Sequence, residues 1–236
     1  MIEYKGKELW TYFFNKQKIN YNPYMFQMPN YEDLLYFSQE EILSFKGKWS
    51  SIFANTNDIY FEIGSGSANF LLELATRRPN CNYIGDELRF KRLIFSARKA
   101  KNKELKNIKF IRFDASQLDK LFSENELAGL YINFPDPWEK NEKKRIISND
   151  LLDKIYPLLK AGGKIYFKTD HLAYYNSVLE LVDKHKNFKV AYHTADLHST
   201  DLVNENIMTE FEHLFTNKLK IKIKYIEISK IGRAHV

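Results

Sequence analysis

The chain has 236 residues, 44% of them apolar, with 36 Lys and Arg against 30 Asp and Glu, a formal net charge of +6. That length holds one α/β domain with a full core, no apolar run is long enough to span a bilayer, and residues 1–8 lack the apolar core of a secretory signal, so a cytoplasmic location is expected. The single cysteine, Cys81, excludes an internal disulfide and a multi-thiolate zinc site and fits a reducing compartment.

Residues 1–50 form an aromatic, irregular N-terminal arm that cannot build its own core and is expected to pack on the α/β domain C-terminal to it. Trp10, Tyr12, Phe13 and Phe14 crowd one patch, residues 21–29 hold two prolines, and 31–45 carry a weak helical pattern through Leu34, Leu35, Ile42 and Leu43. From 51 to 230 strands and helices alternate as one domain. Residues 59–63 read as a strand ending at Gly64, and 69–77 as a helix with Phe70, Leu71, Leu74 and Ala75 on one face. A strand at 82–85 precedes a helix at 89–103, with Leu93, Ile94, Ala97 and Ala100 inward. Strands come next at 108–113 and 130–133. A helix at 151–159 is capped by Ser148 or Asn149 and stopped by Gly162-Gly163. A strand at 164–168, a helix at 174–185 and strands at 188–192 and 221–228 complete the pattern. Seven strands alternating with helices predict an α/β fold, a mostly parallel sheet with helices on both faces.

Chemistry concentrates at strand ends, where open α/β sheets bind ligands. Glu62-Ile63-Gly64-Ser65-Gly66 lies between the first strand and first helix. Gly64 and Gly66 permit a tight turn and close ligand approach, and the helix start offers free N–H groups to an anion. Asp86 and Glu87 come after the second strand at the spacing where an acid accepts from ribose hydroxyls. Asp114 comes after the third, placed either to bind a ligand or to cap the next helix. A nicotinamide dinucleotide would want a third glycine at position 69, which is Asn. The acid after strand three, suited to an adenine amino group, fits S-adenosylmethionine better. The fourth strand runs into Asn133-Phe134-Pro135-Asp136-Pro137-Trp138-Glu139-Lys140. Two prolines stiffen this loop, so Asp136 stands on a rigid platform.

The basic balance favours a polyanionic partner, although a chain this rich in Lys, Asn, Ile, Phe and Tyr owes part of its lysine to composition. Local clusters are therefore more telling. One runs from Arg89 to Lys109; a second, Lys140, Lys143, Lys144 and Arg145, is tethered to the proline loop and is expected to meet phosphates. Thr209, Glu210, Phe211 and Glu212 could hold a base edge or equally start a helix. The six histidines show no metal-ligand spacing, and no metal is expected.

Taken together, Lys46-Gly47-Lys48-Trp49, the loop from Glu62 to Phe70, Tyr83-Ile84-Gly85-Asp86-Glu87, Asp114-Ala115, the proline loop, Phe167-Lys168-Thr169-Asp170 and Thr209-Glu210-Phe211-Glu212 resemble the bacterial tRNA (guanine(46)-N7)-methyltransferase family, in family order over residues 46–228. The resemblance implies a class I S-adenosylmethionine-dependent methyltransferase sheet whose last strand is antiparallel, with S-adenosylmethionine as cofactor and tRNA as partner. It implies a cofactor site at Glu62, Glu87, Asp114 and Asp136, with Asp136 in the catalytic position. It implies substrate contacts at Lys140, Asp170, Thr209, Glu210, Phe211 and Glu212. A methyltransferase of another RNA or of a small molecule, and a non-catalytic RNA-binding subunit of the same fold, are the alternatives. The chain departs from the family pattern at Ala68, where Gly is usual, at Asp86, where an apolar residue is usual, and at Lys143, where His is common. Residues 231–236 do not continue the strand pattern and match one frame of a common sequencing-adapter read-through, so an artefactual tail is expected there.

Overall fold

A computed structural model describes residues 3–9 and 22–232. The aromatic patch at Trp10 to Phe14, Tyr21, and residues 233–236 of the tail lie outside the described residues. Strands β1 (Glu3–Tyr4) and β2 (Lys7–Glu8) make a small antiparallel hairpin. The remaining strands form one sheet. In chain order they are β3 (Leu35–Tyr36), β4 (Asp58–Ile63), β5 (Cys81–Asp86), β6 (Ile108–Ile111), β7 (Leu127–Asn133), β8 (Leu159–Thr169), β9 (Phe188–Thr194) and β10 (Lys224–Lys230).

Their spatial order is β3-β6-β5-β4-β7-β8-β10-β9. Every pairing from β3 to β8 is parallel, and β10 runs antiparallel to both β8 and β9. The last strand is thus the antiparallel one, as the resemblance implies. Seven of the eight strands are those expected from the sequence. The eighth, β3, comes from residues whose pattern suggests a helix over 31–45. Leu35 and Tyr36 are buried, and Leu34 and Tyr36 carbonyls accept from the amides of Phe110 and Arg112 at 2.7 and 2.9 Å. The unpaired edge of β6 offers these bonds, and tertiary pairing overrides a weak local preference. What helix remains is short: α1 (Gln39–Leu43), capped by Ser38, and then α2 (Trp49–Phe53).

Helices cover both faces, each with its own core. One face packs α2, α5 (Asn149–Leu158) and α6 (Leu172–Asp183) through Trp49, Leu152, Ile155 and Val178. The other packs α3 (Asn69–Arg77) and α4 (Phe90–Asn102) through Phe70, Leu71, Leu93 and Ile94. Ser148 caps α5, its Oγ accepting from the Leu151 amide at 3.3 Å. The glycines do not stop that helix: α5 ends at Leu158, and Gly162-Gly163 lie within β8. Pro157 near the helix end withholds one donor, so the chain turns directly into the strand. Lys46-Gly47-Lys48-Trp49 is a structural corner. The Glu126 carboxylate accepts from the Gly47, Trp49 and Ser123 amides at 3.1, 3.3 and 2.8 Å. The Trp49 indole donates to the Leu121 carbonyl at 3.0 Å.

The chain proceeds from β4 outward through β5 and β6, then returns to the other side of β4 with β7 and β8. The crevice at this reversal is where such sheets bind ligands.

Candidate active site

A cleft of about 560 Å³ opens there, bordered by the carboxyl ends of β4, β5 and β7 and the loop after β6. Glu62, Gly64, Gly66, Glu87, Asp114, Asp136, Thr209, Glu210 and Phe211 all line it. Lys140, Asp170 and Glu212 do not. Lys140 is exposed at the far end of the proline loop, and the Asp170 carbonyl accepts from Lys224 at 2.9 Å.

The floor is the glycine loop. Gly64 and Gly66 have φ of +70° and +57°, the left-handed region that glycine enters without penalty. A side chain on Gly64 would meet no protein atom; it would project into open space. Ala68 also has positive φ, +56°, at the N-cap of α3, which explains why glycine suits this position. Its side chain caps nothing, so the free N–H groups of the first turn remain for a ligand.

Glu62, at the end of β4, is 2% exposed. Its Oε1 accepts from Asn133 Nδ2 at 2.8 Å, while Oε2 is buried with no partner among the described residues. Burial pushes its pKa up to about 7, against the opposing pull of the Asn133 bond and of Lys168. A buried carboxylate with one unsatisfied oxygen is expensive; a cationic donor in the cleft would satisfy it. This feature fits the ammonium of an amino-acid-bearing cofactor such as S-adenosylmethionine.

Asp86, which ends β5 beside Glu87, is the second perturbed acid of the cleft. Burial pushes its pKa up to about 8, partly offset by the Phe113 amide, which donates to Oδ1 at 3.2 Å. Glu87 has partners within the chain. Its Oε1 accepts from the Arg89 amide at 2.9 Å and its Oε2 faces Arg92 at 3.3 Å. Asp114 caps the 3₁₀ turn after it, accepting from Ser116 N at 3.0 Å, while still lining the cleft.

The proline loop forms one wall. Phe134 and Trp138, which bracket it, both have positive φ, 51° and 45°, unusual for bulky side chains. The strain is held from both sides. The Phe134 amide donates to the Lys168 carbonyl at 2.9 Å. Arg145 is buried and grips the loop, Nε donating to the Pro137 carbonyl at 2.8 Å and Nη1 to Ser177 Oγ at 3.0 Å, with its guanidinium over the Tyr174 ring. Arg145 is therefore a brace, and the expectation that it faces RNA with its neighbours is corrected. Lys140, Lys143 and Lys144 are exposed.

The helix reading of the Thr209 segment holds. Thr209 and Glu212 form a capping box that starts α7 (Glu210–His213). Phe211, 46% exposed, lies 6.5 Å from Phe134 and 6.2 Å from Phe215, ring centre to ring centre. Of these rings, Phe134 and Phe211 line the cleft together with Asp136. Glu210 bonds Asn69 across the cleft. Glu212 is fully buried and points away, toward Lys168, His198 and Asn206.

Four members of the first basic run bond back to the protein, although most of the run is exposed. Arg98 bonds Gln27, Lys101 the Asn30 carbonyl, Lys109 the Asp33 carbonyl and Lys99 the Ser67 carbonyl, so α4 and β6 staple residues 27–33 and the glycine loop. Among the described residues no group of His, Cys, Asp and Glu is placed to hold a metal, and no helix is long and apolar enough to cross a membrane.

Residues 56–225 match the family model described as putative methyltransferase. The chain is 46% identical over 230 residues to a bifunctional glycosyltransferase/methyltransferase of Fusobacterium nucleatum, a match that covers 98% of this chain and 36% of that protein. The chain thus spans about a third of that relative's length. It is 38% identical over 175 residues to the tRNA (guanine-N(7)-)-methyltransferase of Clostridium tetani, covering 73% of this chain and 82% of that one. In fold it is similar to an antibiotic-related methyltransferase, with a TM-score of 0.57 at 17% identity, over 79% of this chain and 93% of that one.

Proposed function

The chain belongs to the tRNA (guanine-N7-)-methyltransferase family, and we propose that it transfers a methyl group from S-adenosylmethionine to N7 of a variable-loop guanosine, position 46, in tRNA. The observation that supports this most is the buried, half-satisfied Glu62 carboxylate facing a cleft whose rim is the stiff Asp136 loop.

When bound, S-adenosylmethionine supplies an electrophilic methyl group on a positively charged sulfur. Glu62 would hold its ammonium, and Gly64, Gly66 and the start of α3 its carboxylate. Glu87 and Asp114 would accept from its hydroxyl and amino groups. Guanine N7 has an in-plane lone pair and no proton at neutral pH, so the chain need supply no general base. Its residues have two tasks: to align the two reactants, and to stabilise the positive charge that develops on the purine. Asp136, an exposed carboxylate on a braced loop, suits the second task. Phe211 and Phe134 offer ring faces to a base, and Thr209 and Glu210 offer polar groups to its edge. N7 is hard to reach in the deep, narrow groove of A-form RNA, so the target must lie in an accessible loop or be displaced. Lys140, Lys143 and Lys144, close in sequence to Asp136, would neutralise phosphates around that loop.

In this reading residues 51–230 are the catalytic domain and the arm packs on it, a cytoplasmic enzyme needing no metal. Incubation of the purified protein with methyl-labelled cofactor and unmodified tRNA tests the proposal. N7-methylguanosine in the digested tRNA is the expected product. Label on another atom, or transfer that proceeds without tRNA, would overturn it.

A further inference from the structure

Lys168, near the end of β8, carries a charge that the proposed reaction has not used. Its ammonium is buried beneath the Thr209 segment, and its three protons have three acceptors. These are Glu212 Oε2 at 3.0 Å, the Ile207 carbonyl at 3.0 Å, and Asn206 Oδ1. Glu212 is fixed in turn. Its Oε1 accepts from Asn206 Nδ2 at 2.6 Å and lies 2.9 Å from His198 Nε2, and Thr209 N points at its Oε2. On the other side, Lys168 pairs in register with Asn133 of β7, and Asn133 holds Glu62. Two acids therefore act on Lys168, Glu212 directly and Glu62 through space. The groups acting on Glu62 are the Asn133 amide and Lys168; His198 reaches the system only through Glu212.

We propose that Lys168 is a positioning residue for the methyl transfer: its ammonium favours the carboxylate form of Glu62 that receives a cationic cofactor, and through Glu212 it ties α7, with Thr209, Glu210 and Phe211, to the same strand end. The inference rests on the function proposed above. It also gives Glu212 its place. All four of its contacts are internal, so Glu212 sets the orientation of the segment while its neighbours face the cleft.

A purely structural ion pair makes a different forecast. Buried pairs are often replaceable by apolar side chains of similar volume with little loss. If Lys168 only fills space, Lys168→Met changes stability and leaves the cofactor's pH response alone. If it acts on Glu62, removing its charge makes Glu62 harder to ionise.

The test is calorimetric titration with S-adenosylhomocysteine from pH 5.5 to 8.5, with KM for tRNA measured in parallel. Wild type should bind about tenfold more weakly one pH unit below the Glu62 midpoint than on the plateau, because only the carboxylate form binds. In Lys168→Met the midpoint should move up by about one pH unit, weakening binding near neutrality by up to about tenfold, and KM for tRNA should rise. Lys168→Arg should restore the midpoint. Glu212→Gln keeps the lysine charge, so its midpoint should stay or fall while KM for tRNA still rises. A folded Lys168→Met with the wild-type midpoint overturns the proposal. Should that variant not fold, Glu212→Gln decides: a midpoint that moves up, or an unchanged KM for tRNA, overturns it. A wild type that binds no S-adenosylhomocysteine at any pH would instead sink the functional reading itself.

Discussion

Glu62→Gln should make the ligand-free protein more stable at pH 8 and less stable at pH 5. The carboxyl titrates near 7 in the fold against an ordinary value of 4.5. An acid whose folded pKa is raised binds its proton more tightly in the native state, so its ionisation opposes folding. That cost is absent below about pH 4.5, grows between 4.5 and 7, and is fully present above 7. At about 1.4 kcal/mol per pH unit, the wild-type penalty at pH 8 is about 3 kcal/mol. It is about 1 kcal/mol at pH 5, where the unfolded chain is mostly ionised and the folded one is not. Glutamine removes the penalty but leaves an amide N–H₂ where Oε2 has no partner, a cost of about 1–3 kcal/mol at either pH. The two effects nearly balance in sum, yet the swing between the two pH values, about 2–3 kcal/mol, does not depend on the amide. For a chain of this length that swing is roughly 4–12 °C in the difference between variant and wild-type Tm. Thermal unfolding of both proteins at both pH values measures it. Asp86 also titrates in this range, but it is common to both proteins and cancels. The same Tm offset at pH 5 and pH 8 would refute the assignment of Glu62 as a buried, unrelieved charge. The variant should also bind S-adenosylhomocysteine about ten- to a hundredfold more weakly at pH 8, the loss of one charge-assisted contact.

Asp136→Ala should cut single-turnover methyl transfer sharply with little change in Tm, because Asp136 is exposed and its loop is held by Arg145; near wild-type turnover would remove it from the reaction. Arg145→Ala should do the reverse in emphasis. It should lower stability by about 3 kcal/mol, since it strips a buried hub of its carbonyl, hydroxyl and carboxylate contacts, and a melting curve that matches wild type would refute the brace. Neutralising Lys140, Lys143 and Lys144 together should weaken tRNA binding and reduce the slope of log affinity against log salt by about 2, at roughly 0.7–0.9 per lost phosphate contact. The same triple variant should leave S-adenosylhomocysteine affinity unchanged, and an unaltered salt slope would mean that these lysines only solvate the loop.

The cleft was legible because strand ends are legible. Apolar runs at 59–63, 82–85 and 130–133 each stop at a polar residue or a glycine, and parallel topology brings those stops to one edge. Thr209 with Glu212 three residues on is a capping-box spacing, so α7 was readable too. What sequence could not separate was the fate of individual charges. Arg145 sits in a basic run with Lys143 and Lys144 but turns inward. The available signal was its position directly before Ile146-Ile147, where the chain enters the core. Lys168 had a signal as well. Inner strands of a mostly parallel sheet are buried on both faces, so a lysine beside Ile165 and Phe167 on such a strand must find internal partners. β3 had no such signal, since two residues of pairing leave no period to detect.

The pattern of costs around the cleft argues for a site shaped by its ligand. Glu62 and Asp86, both buried with raised pKa values, oppose folding at neutral pH. Ala68, Phe134 and Trp138 hold left-handed backbone that glycine would adopt more cheaply. All five residues belong to the strand ends and loops that border the same crevice. A stability optimum would neutralise the acids and relax the turns. A cationic cofactor does the first without mutation: by pairing with the Glu62 carboxylate it lowers the free energy of the folded state alone, so ligand binding should raise Tm more at pH 8 than at pH 5. Differential scanning fluorimetry with saturating S-adenosylhomocysteine at the two pH values should show this. A larger rise at pH 5 would mean that the ligand prefers the protonated cleft, and that the buried acid serves the fold rather than the cofactor.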